Sequence, residues 1–338
     1  MNVQEKIDLI TSNTIDVIGK DELEKKLSEK KKLTAYIGRA PTGSLHLGHI
    51  IPLSKVFDLQ KAGVKTKILI ADIHAALDDL KAPWEQIKQR SEFTQKCIEL
   101  SLPWNKKPEF VTGSSFQLSK DYQLDLLKIS TMATINRAKR AASEVTRMKN
   151  PKVSELIYPI MQALDEEYLG VDIQWGGIDQ RHIMAFARDY LPRIGYEPRV
   201  ELMQPLIQGL KGPGVKMSSS IPETVIKVYD SEDSIKEKVK NAYCPEGVVK
   251  DNPVLQLCRY LLFPIRKGLK VERPAKFGGD AEFKDYESLE KVFKKKELHP
   301  LDLKKALTNE LIKMFKPVRK YFKKHTDLLE ALGPEFLA

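Results

Sequence analysis

Over its first two thirds the chain alternates short apolar runs with stretches of helical periodicity. Leu33-Thr-Ala-Tyr-Ile37 is apolar with β-branched and aromatic members, and Gly38, Pro41 and Gly43 follow before a helical pattern begins. That order predicts a strand, a turn and a helix start. Thr66-Lys-Ile-Leu-Ile-Ala71 is a nearly continuous apolar run that leads into Asp72-Ile-His-Ala75. It has the pattern of a parallel strand buried on both faces. Val171-Asp-Ile-Gln-Trp175 reads as a third strand, ending at Gly176-Gly-Ile-Asp179, the kind of strand end at which open α/β sheets bind ligands. The alternation through about residue 215 predicts an α/β layer with a parallel sheet, and the chain beyond it reads as mostly helical.

Residues 156 to 169 repeat at helical spacing, about 100° per residue. Ile157, Ile160, Met161, Leu164 and Tyr168 form one apolar stripe, Tyr158, Gln162 and Asp165 form a second beside it, and Glu166 and Glu167 fall on the remaining face. A phenol, an amide and a carboxylate beside a buried stripe have the character of a pocket wall. The plain alternative is that Asp165 belongs to a solvated acidic run.

At 338 residues the chain is long enough to bury a sizeable core and to divide into two domains. It holds no run of about 18 apolar residues and no signal-peptide pattern, so a soluble, cytoplasmic protein with no membrane partner is expected. Cys97, Cys244 and Cys258 are widely spaced, which suggests reduced thiols with neither a disulfide framework nor a zinc site. The net charge of +10 favours a polyanionic partner. The charge gathers at Arg137-Ala-Lys-Arg140 with Arg147 and Lys149, at Lys294-Lys-Lys296, and at Lys316, Arg319, Lys320, Lys323 and Lys324. Any single cluster is also what a solvated helix face looks like.

Two segments suggest phosphate chemistry. Ala40-Pro-Thr-Gly-Ser-Leu-His-Leu-Gly-His49 places glycines, which let backbone approach a ligand, before two histidines three residues apart. That spacing puts both rings on one face of a first helical turn, where both can donate to one phosphate. Neither a Gly-Lys-Ser/Thr loop nor Gly-x-Gly-x-x-Gly is present, so the segment is not a Walker loop or a dinucleotide fingerprint. Far downstream, Gly212, Pro213 and Gly214 approach Lys216-Met-Ser-Ser-Ser220, a loop with one cation and several hydroxyls. Such a loop suits contacts that tighten as charge builds on a leaving phosphate. Alone, the histidines fit satisfied helix residues and the loop fits a surface turn. Together, in this order, they point to binding and cleavage of a nucleoside triphosphate.

On these residues the sequence resembles the class I aminoacyl-tRNA synthetases, and more closely the tyrosyl-tRNA synthetases of the archaeal and eukaryotic type. His46-Leu-Gly-His49 is similar to the family's HIGH motif and Lys216-Met-Ser-Ser-Ser220 to its KMSKS motif, with Ser219 where many members carry a second lysine. The resemblance runs from about Leu33 to about Tyr321. It implies that Tyr36 and Asp165 meet the phenolic oxygen of tyrosine, while Tyr158, Gln162 and Gln180 hold the rest of the amino acid. The chemistry fits, since a phenol needs one donor and one acceptor. The same pair disfavours phenylalanine, which leaves it unsatisfied. The resemblance further implies that Gly48, Gly176, Gly177, Asp179 and Ser219 take ATP, with Asp179 accepting from ribose hydroxyls, and that His46, His49 and Lys216 are catalytic. His74 is expected to pack near the ligand, and Phe116, Gln117 and Tyr122 to flank it.

By the same resemblance Arg181 reads the first base pair of the tRNA acceptor stem, and Phe277, His299, Pro300 and Asp302 contact the anticodon. His299-Pro-Leu-Asp302 also reads simply as a helix start with Pro in its first turn. The expectation is thus a Rossmann-like catalytic domain over residues 1–225, with an insertion at about 115–155 forming a homodimer interface and a KMSKS-type loop at 212–222. A helical anticodon-binding domain over 226–338 follows. The implied reaction joins L-tyrosine to Mg-ATP, giving tyrosyl-adenylate and pyrophosphate, and then passes the tyrosyl group to tRNA(Tyr), with no tightly bound cofactor, no protein metal site and no protein nucleophile. Two alternatives stand beside it: a tryptophanyl-tRNA synthetase, less suited to Tyr36 with Asp165, and a catalytically silent RNA-binding paralogue, disfavoured by the retained His46, His49 and Lys216.

Overall fold

The computed structural model describes residues 1–338 except 30, 145–151, 216, 218–220, 267, 334–335 and 337–338, and the side chains of 222, 277 and 331. Lys216 and Ser219, with Arg147 and Lys149 of the first basic cluster, therefore lie outside the described residues. The chain divides into two compact units that are discontinuous in sequence. One comprises 1–43, 58–95 and 106–206, the other 44–57, 96–105 and 207–338. The boundary expected near residue 225 falls within the second unit.

The first unit is built on a six-stranded sheet. Its strands are β1 (Asp16–Ile18), β2 (Thr34–Arg39), β3 (Lys65–Ile70), β4 (Glu109–Thr112), β5 (Ile173–Gly177) and β6 (Val200–Gln204), in the order β1-β6-β5-β2-β3-β4. The strands β2 to β6 run parallel, with Ile37 opposite Ile68 and Tyr36 opposite Gln174. The expected parallel sheet needs one correction, because β1 adds to β6 antiparallel. Its three residues are too few to show a period in the sequence. From β2 the chain builds outward to β3 and β4 on one side and returns to β5 and β6 on the other. The carboxyl ends of β2 and β5 thus flank the point where strand order reverses, the usual ligand crevice of such sheets.

The helix predicted at 156–169 spans Val153–Tyr168. Its apolar stripe packs through Ile160, Met161 and Leu164 against Tyr122, Ile129, Ile183 and Phe186. Tyr158 and Asp165 of the second stripe are buried too. On the remaining face Glu167 is half-buried, whereas Glu166 is fully buried, as is Glu201 of β6. Burial pushes both carboxyls well above the usual range, against the electrostatic pull of Arg188 and Arg199, and so favours the uncharged form of each, the form that a buried site tolerates.

The second unit is largely helical, with helices at Leu47–Leu53, Glu232–Lys240, Tyr286–Lys294 and Pro300–Phe322 among others. Leu257, Leu261, Phe293, Leu307, Leu311 and Phe315 are among its buried residues. Arg319 reaches back from the 23-residue helix to Glu232 at 3.1 Å. A two-stranded ribbon, β7 (Leu269–Val271) with β8 (Ala281–Phe283), interrupts the expected helical run. Between them a 3-10 turn ends in Gly278 and Gly279, both at positive φ, a backbone that glycine adopts without strain. No helix among the described residues is long and apolar enough to cross a membrane. All three cysteines are buried and free.

Candidate active site

The second stripe of the Val153–Tyr168 helix contributes to a buried polar cluster in the first unit. Asp165 is 1% exposed and its Oδ1 accepts from Gln117 Nε2 at 2.8 Å and from the Tyr122 hydroxyl at 2.9 Å. Its Oδ2 has no hydrogen-bond partner among the described residues. Tyr36, contributed by β2, is equally buried and its hydroxyl makes a long contact, 3.4 Å, to the backbone oxygen of Gln162. Gln162 Nε2 donates to Gln180 Oε1 at 3.2 Å, and Tyr158 stands edge-on to the His74 ring with centroids 4.7 Å apart. The five residues expected to hold an amino acid are therefore gathered on neighbouring elements of one unit.

Burial governs the charges here, because a low-dielectric surrounding disfavours ionised forms. Burial pushes the Asp165 carboxyl up to about 7, against the hydrogen bonds from Gln117 and Tyr122, which hold it down. Burial pushes His74 down to about 4, so its ring is uncharged at neutral pH. The 3.7 Å approach of His74 Nε2 to Asp165 Oδ2 is then not an ion pair. Gln117 Nε2 also lies 3.4 Å from His74 Nδ1, which fits an acceptor Nδ1 with the ring proton on Nε2. Tyr36 is pushed well above its ordinary value by burial and by the nearby Asp165, so it keeps its proton and can donate.

At the carboxyl end of β5, Gly176 and Gly177 carry no side chain for a physical reason. A Cβ on Gly177 would lie 2.4 Å from Asp179 Oδ1, and one on Gly176 would lie 3.2 Å from Gln180 Cγ. The glycines let Asp179 and Gln180 fold back over the strand end. Arg181 follows directly and its Nε donates to Asp16 Oδ2 at 2.7 Å, leaving its two terminal nitrogens for other partners.

In the second unit, His46 caps the helix Leu47–Leu53. Gly48 N–H donates to His46 Nδ1 at 3.2 Å, and His46 N–H donates to His49 Nδ1 at 3.4 Å. The ring centroids lie 3.7 Å apart, so the two imidazoles do share a face. With both Nδ1 atoms accepting, each Nε2 carries a proton. Leu47 N–H donates to Ile226 O at 2.9 Å and Val228 N–H to Leu45 O at 3.0 Å, which ties the histidine segment to the chain just beyond the expected loop. Of that loop, Met217 is buried, with its Sδ 3.4 Å from where a Gly48 Cβ would stand.

His299 caps the helix Pro300–Phe322 by accepting from Leu301 N–H at 3.2 Å, with Pro300 and Asp302 in its first turn. The plain helix-start reading of these residues therefore holds. Phe277 ends the 3-10 turn Ala275–Phe277. What the sequence left weakest was the support of Asp165. Gln117 and Tyr122 carried no more than a position beside the ligand, and no local signal ties them to a carboxylate more than forty residues away.

The histidine cap and the buried polar cluster are the arrangement expected of an enzyme that activates an amino acid with a nucleoside triphosphate. The sequence matches the family described as tRNA synthetases class I (W and Y) over residues 28–316, and the chain belongs to it, in the tyrosyl branch of the archaeal and eukaryotic type. It is 45% identical over 322 residues to a tyrosine–tRNA ligase of Archaeoglobus fulgidus, covering 95% of this chain and 98% of that protein. It is 42% identical to the cytoplasmic tyrosine–tRNA ligase of Xenopus tropicalis over 94% of this chain, and spans 60% of that longer protein. The crystal structure of the Archaeoglobus fulgidus tyrosyl-tRNA synthetase complexed with L-tyrosine superposes with a TM-score of 0.89 at 43% identity, covering 94% of this chain and 99% of that one.

Proposed function

We propose that this chain is a tyrosine–tRNA ligase that activates L-tyrosine with ATP and transfers it to the 3′ end of tRNA(Tyr). The observation that carries the reading is the buried Oδ2 of Asp165, without a hydrogen-bond partner among the described residues, in the polar cluster that also holds the buried Tyr36. A phenol uses both, donating to the carboxylate and accepting from Tyr36. The indole of tryptophan has a donor but no acceptor and leaves Tyr36 unanswered. Tyr158, Gln162 and Gln180 orient the amino-acid head, and Gly176, Gly177 and Asp179 receive adenosine. Gly48 and Ser219 also serve ATP, and the imidazoles of His46 and His49 with Lys216 stabilise charge on its phosphates. Mg2+ enters with ATP as part of the substrate. Positioning and electrostatics carry the rate, and the tyrosine carboxylate is itself the nucleophile.

The catalytic portion is taken as 1–225 and the anticodon-binding portion as 226–338, where Phe277, His299, Pro300 and Asp302 meet the anticodon; Arg181 meets the acceptor stem. A homodimer through residues of about 115–155 is supported by Leu118, Leu127, Ile135 and Val153, all at least 60% exposed on those elements, since so much uncovered apolar surface favours a partner. The cytoplasm is its proposed location. ATP–pyrophosphate exchange measured with tyrosine and tryptophan side by side tests the reading. Stimulation by tyrosine supports it, and stimulation by tryptophan alone overturns it.

A further inference from the structure

The Asp165 carboxylate has two oxygens in different circumstances. Oδ1 is saturated by Gln117 and Tyr122, and Oδ2 is buried with no partner among the described residues. Left to rotate, a carboxylate changes the plane in which its lone pairs lie, and a phenol would meet a spread of orientations. The side chains that limit this freedom are themselves fully enclosed: Gln117 and Tyr122 are both 0% exposed. The Tyr122 hydroxyl lies 2.8 Å from the backbone oxygen of Met161 as well as 2.9 Å from Oδ1. Its one proton is thus shared between two acceptors, Oδ1 and the carbonyl one turn earlier on the same helix. Its ring is packed edge-on between Phe116 and Tyr168, with centroids at 5.8 Å and 4.9 Å. Gln117 spans Asp165 and His74 and so fixes the imidazole that borders the open oxygen.

We infer that Tyr122 is a specificity-determining positioning residue: by holding Oδ1 of Asp165 it presents Oδ2 in the one orientation that accepts a phenolic hydroxyl, with Gln117 assisting. Tyr122 does not touch the substrate in this assignment. It sets how sharply tyrosine is preferred over phenylalanine, because that preference depends on the buried acceptor standing where the hydroxyl arrives. The inference rests on the tyrosine-activating function proposed above.

The test is ATP–pyrophosphate exchange by the full chain and its Tyr122→Phe variant, with tyrosine and phenylalanine as substrates. Phenylalanine keeps the ring packing and deletes one hydroxyl. The expected result is a KM for tyrosine raised about tenfold, the scale of one hydrogen bond to a charged group, with KM for ATP and the weak kinetics of phenylalanine unchanged. The tyrosine-to-phenylalanine preference then falls by about the same factor. A role in folding alone would lower the rate with both substrates and leave that preference intact, which overturns the inference. Should Tyr122→Phe not fold, Gln117→Leu is read the same way, and an unchanged preference in it overturns the inference equally. The wild-type protein run alongside separates the two levels. No exchange with tyrosine in the wild type removes the proposed function itself, whereas an active wild type with an unchanged variant removes only the role of Tyr122.

Discussion

Gly48 stands against the ring of His46 so closely that a Cβ there would lie 3.0 Å from His46 Cε1 and 3.2 Å from Nδ1. The glycine is what lets the cap of this helix be an imidazole folded over its own first turn. Gly48→Ala must push that ring aside by a few tenths of an ångström, a fraction of the roughly 1 Å misplacement that costs about 100-fold in rate near reacting groups. The expected outcome is an exchange rate about tenfold lower with the KM for tyrosine unchanged, measured by steady-state kinetics at varied tyrosine and ATP.

Removing either imidazole follows the same logic. His46→Ala and His49→Ala each delete a donor proposed to act on charge that builds on the phosphates. Loss of one such donor costs about 100- to 1,000-fold in kcat. Undiminished exchange in the double variant would take both histidines out of the mechanism.

The strands β2, β3 and β5 and the helix Val153–Tyr168 are legible in the chain because each carries an apolar period of its own. β6 is not: its five residues are all buried although Glu201 and Gln204 are polar, so no alternation announces it. Glu166 is hidden for the same reason, since its burial, which favours the uncharged carboxyl, is set by tertiary packing. At the site, the histidine segment and the Tyr158–Gln162–Asp165 stripe are readable from spacing. The clamp on Asp165 is not, because it is made by tertiary packing.

Asp165 titrates in the working range. Its carboxyl is raised to about 7, so it loses its charge as pH falls through that value. The charged form is the acceptor that a phenol needs, and kcat/KM for tyrosine should therefore decline below pH about 7. Among the other titratable groups near it, His74 is held near 4 and stays neutral, and Tyr36, Tyr122 and Tyr158 are pushed upward and keep their protons; Glu166, a buried carboxyl also pushed upward, is separated by the Asp165→Asn comparison. Asp72 adds a like charge that favours protonation of Asp165. A pH profile of kcat/KM that declines for the wild type and is flat in Asp165→Asn supports the assignment, and the same decline in both contradicts it.

Gly212 opens the approach to Lys216 at φ +102°, and a Cβ there would lie 2.6 Å from Tyr243 Cγ. Strain and collision act together in Gly212→Ala, with a cost of roughly 1–3 kcal/mol for the backbone alone. Thermal unfolding should show Tm lowered by several degrees.

His299 has a structural and a proposed recognition role, which two substitutions separate. His299→Ala loses the helix cap, at about 1 kcal/mol, whereas His299→Asn supplies another good cap. Both should raise the KM for tRNA in aminoacylation and leave tyrosine-dependent exchange unchanged, and His299→Ala alone should lower Tm. An unaltered KM for tRNA in His299→Asn would leave the residue with the cap only.

The most direct measurement is a crystal structure of this protein with L-tyrosine bound. The phenolic oxygen is predicted to lie within hydrogen-bond distance of Asp165 Oδ2 and the Tyr36 hydroxyl, with Oδ1 still held by Gln117 and Tyr122. A ring oxygen directed away from Tyr36 and Asp165 would contradict the account.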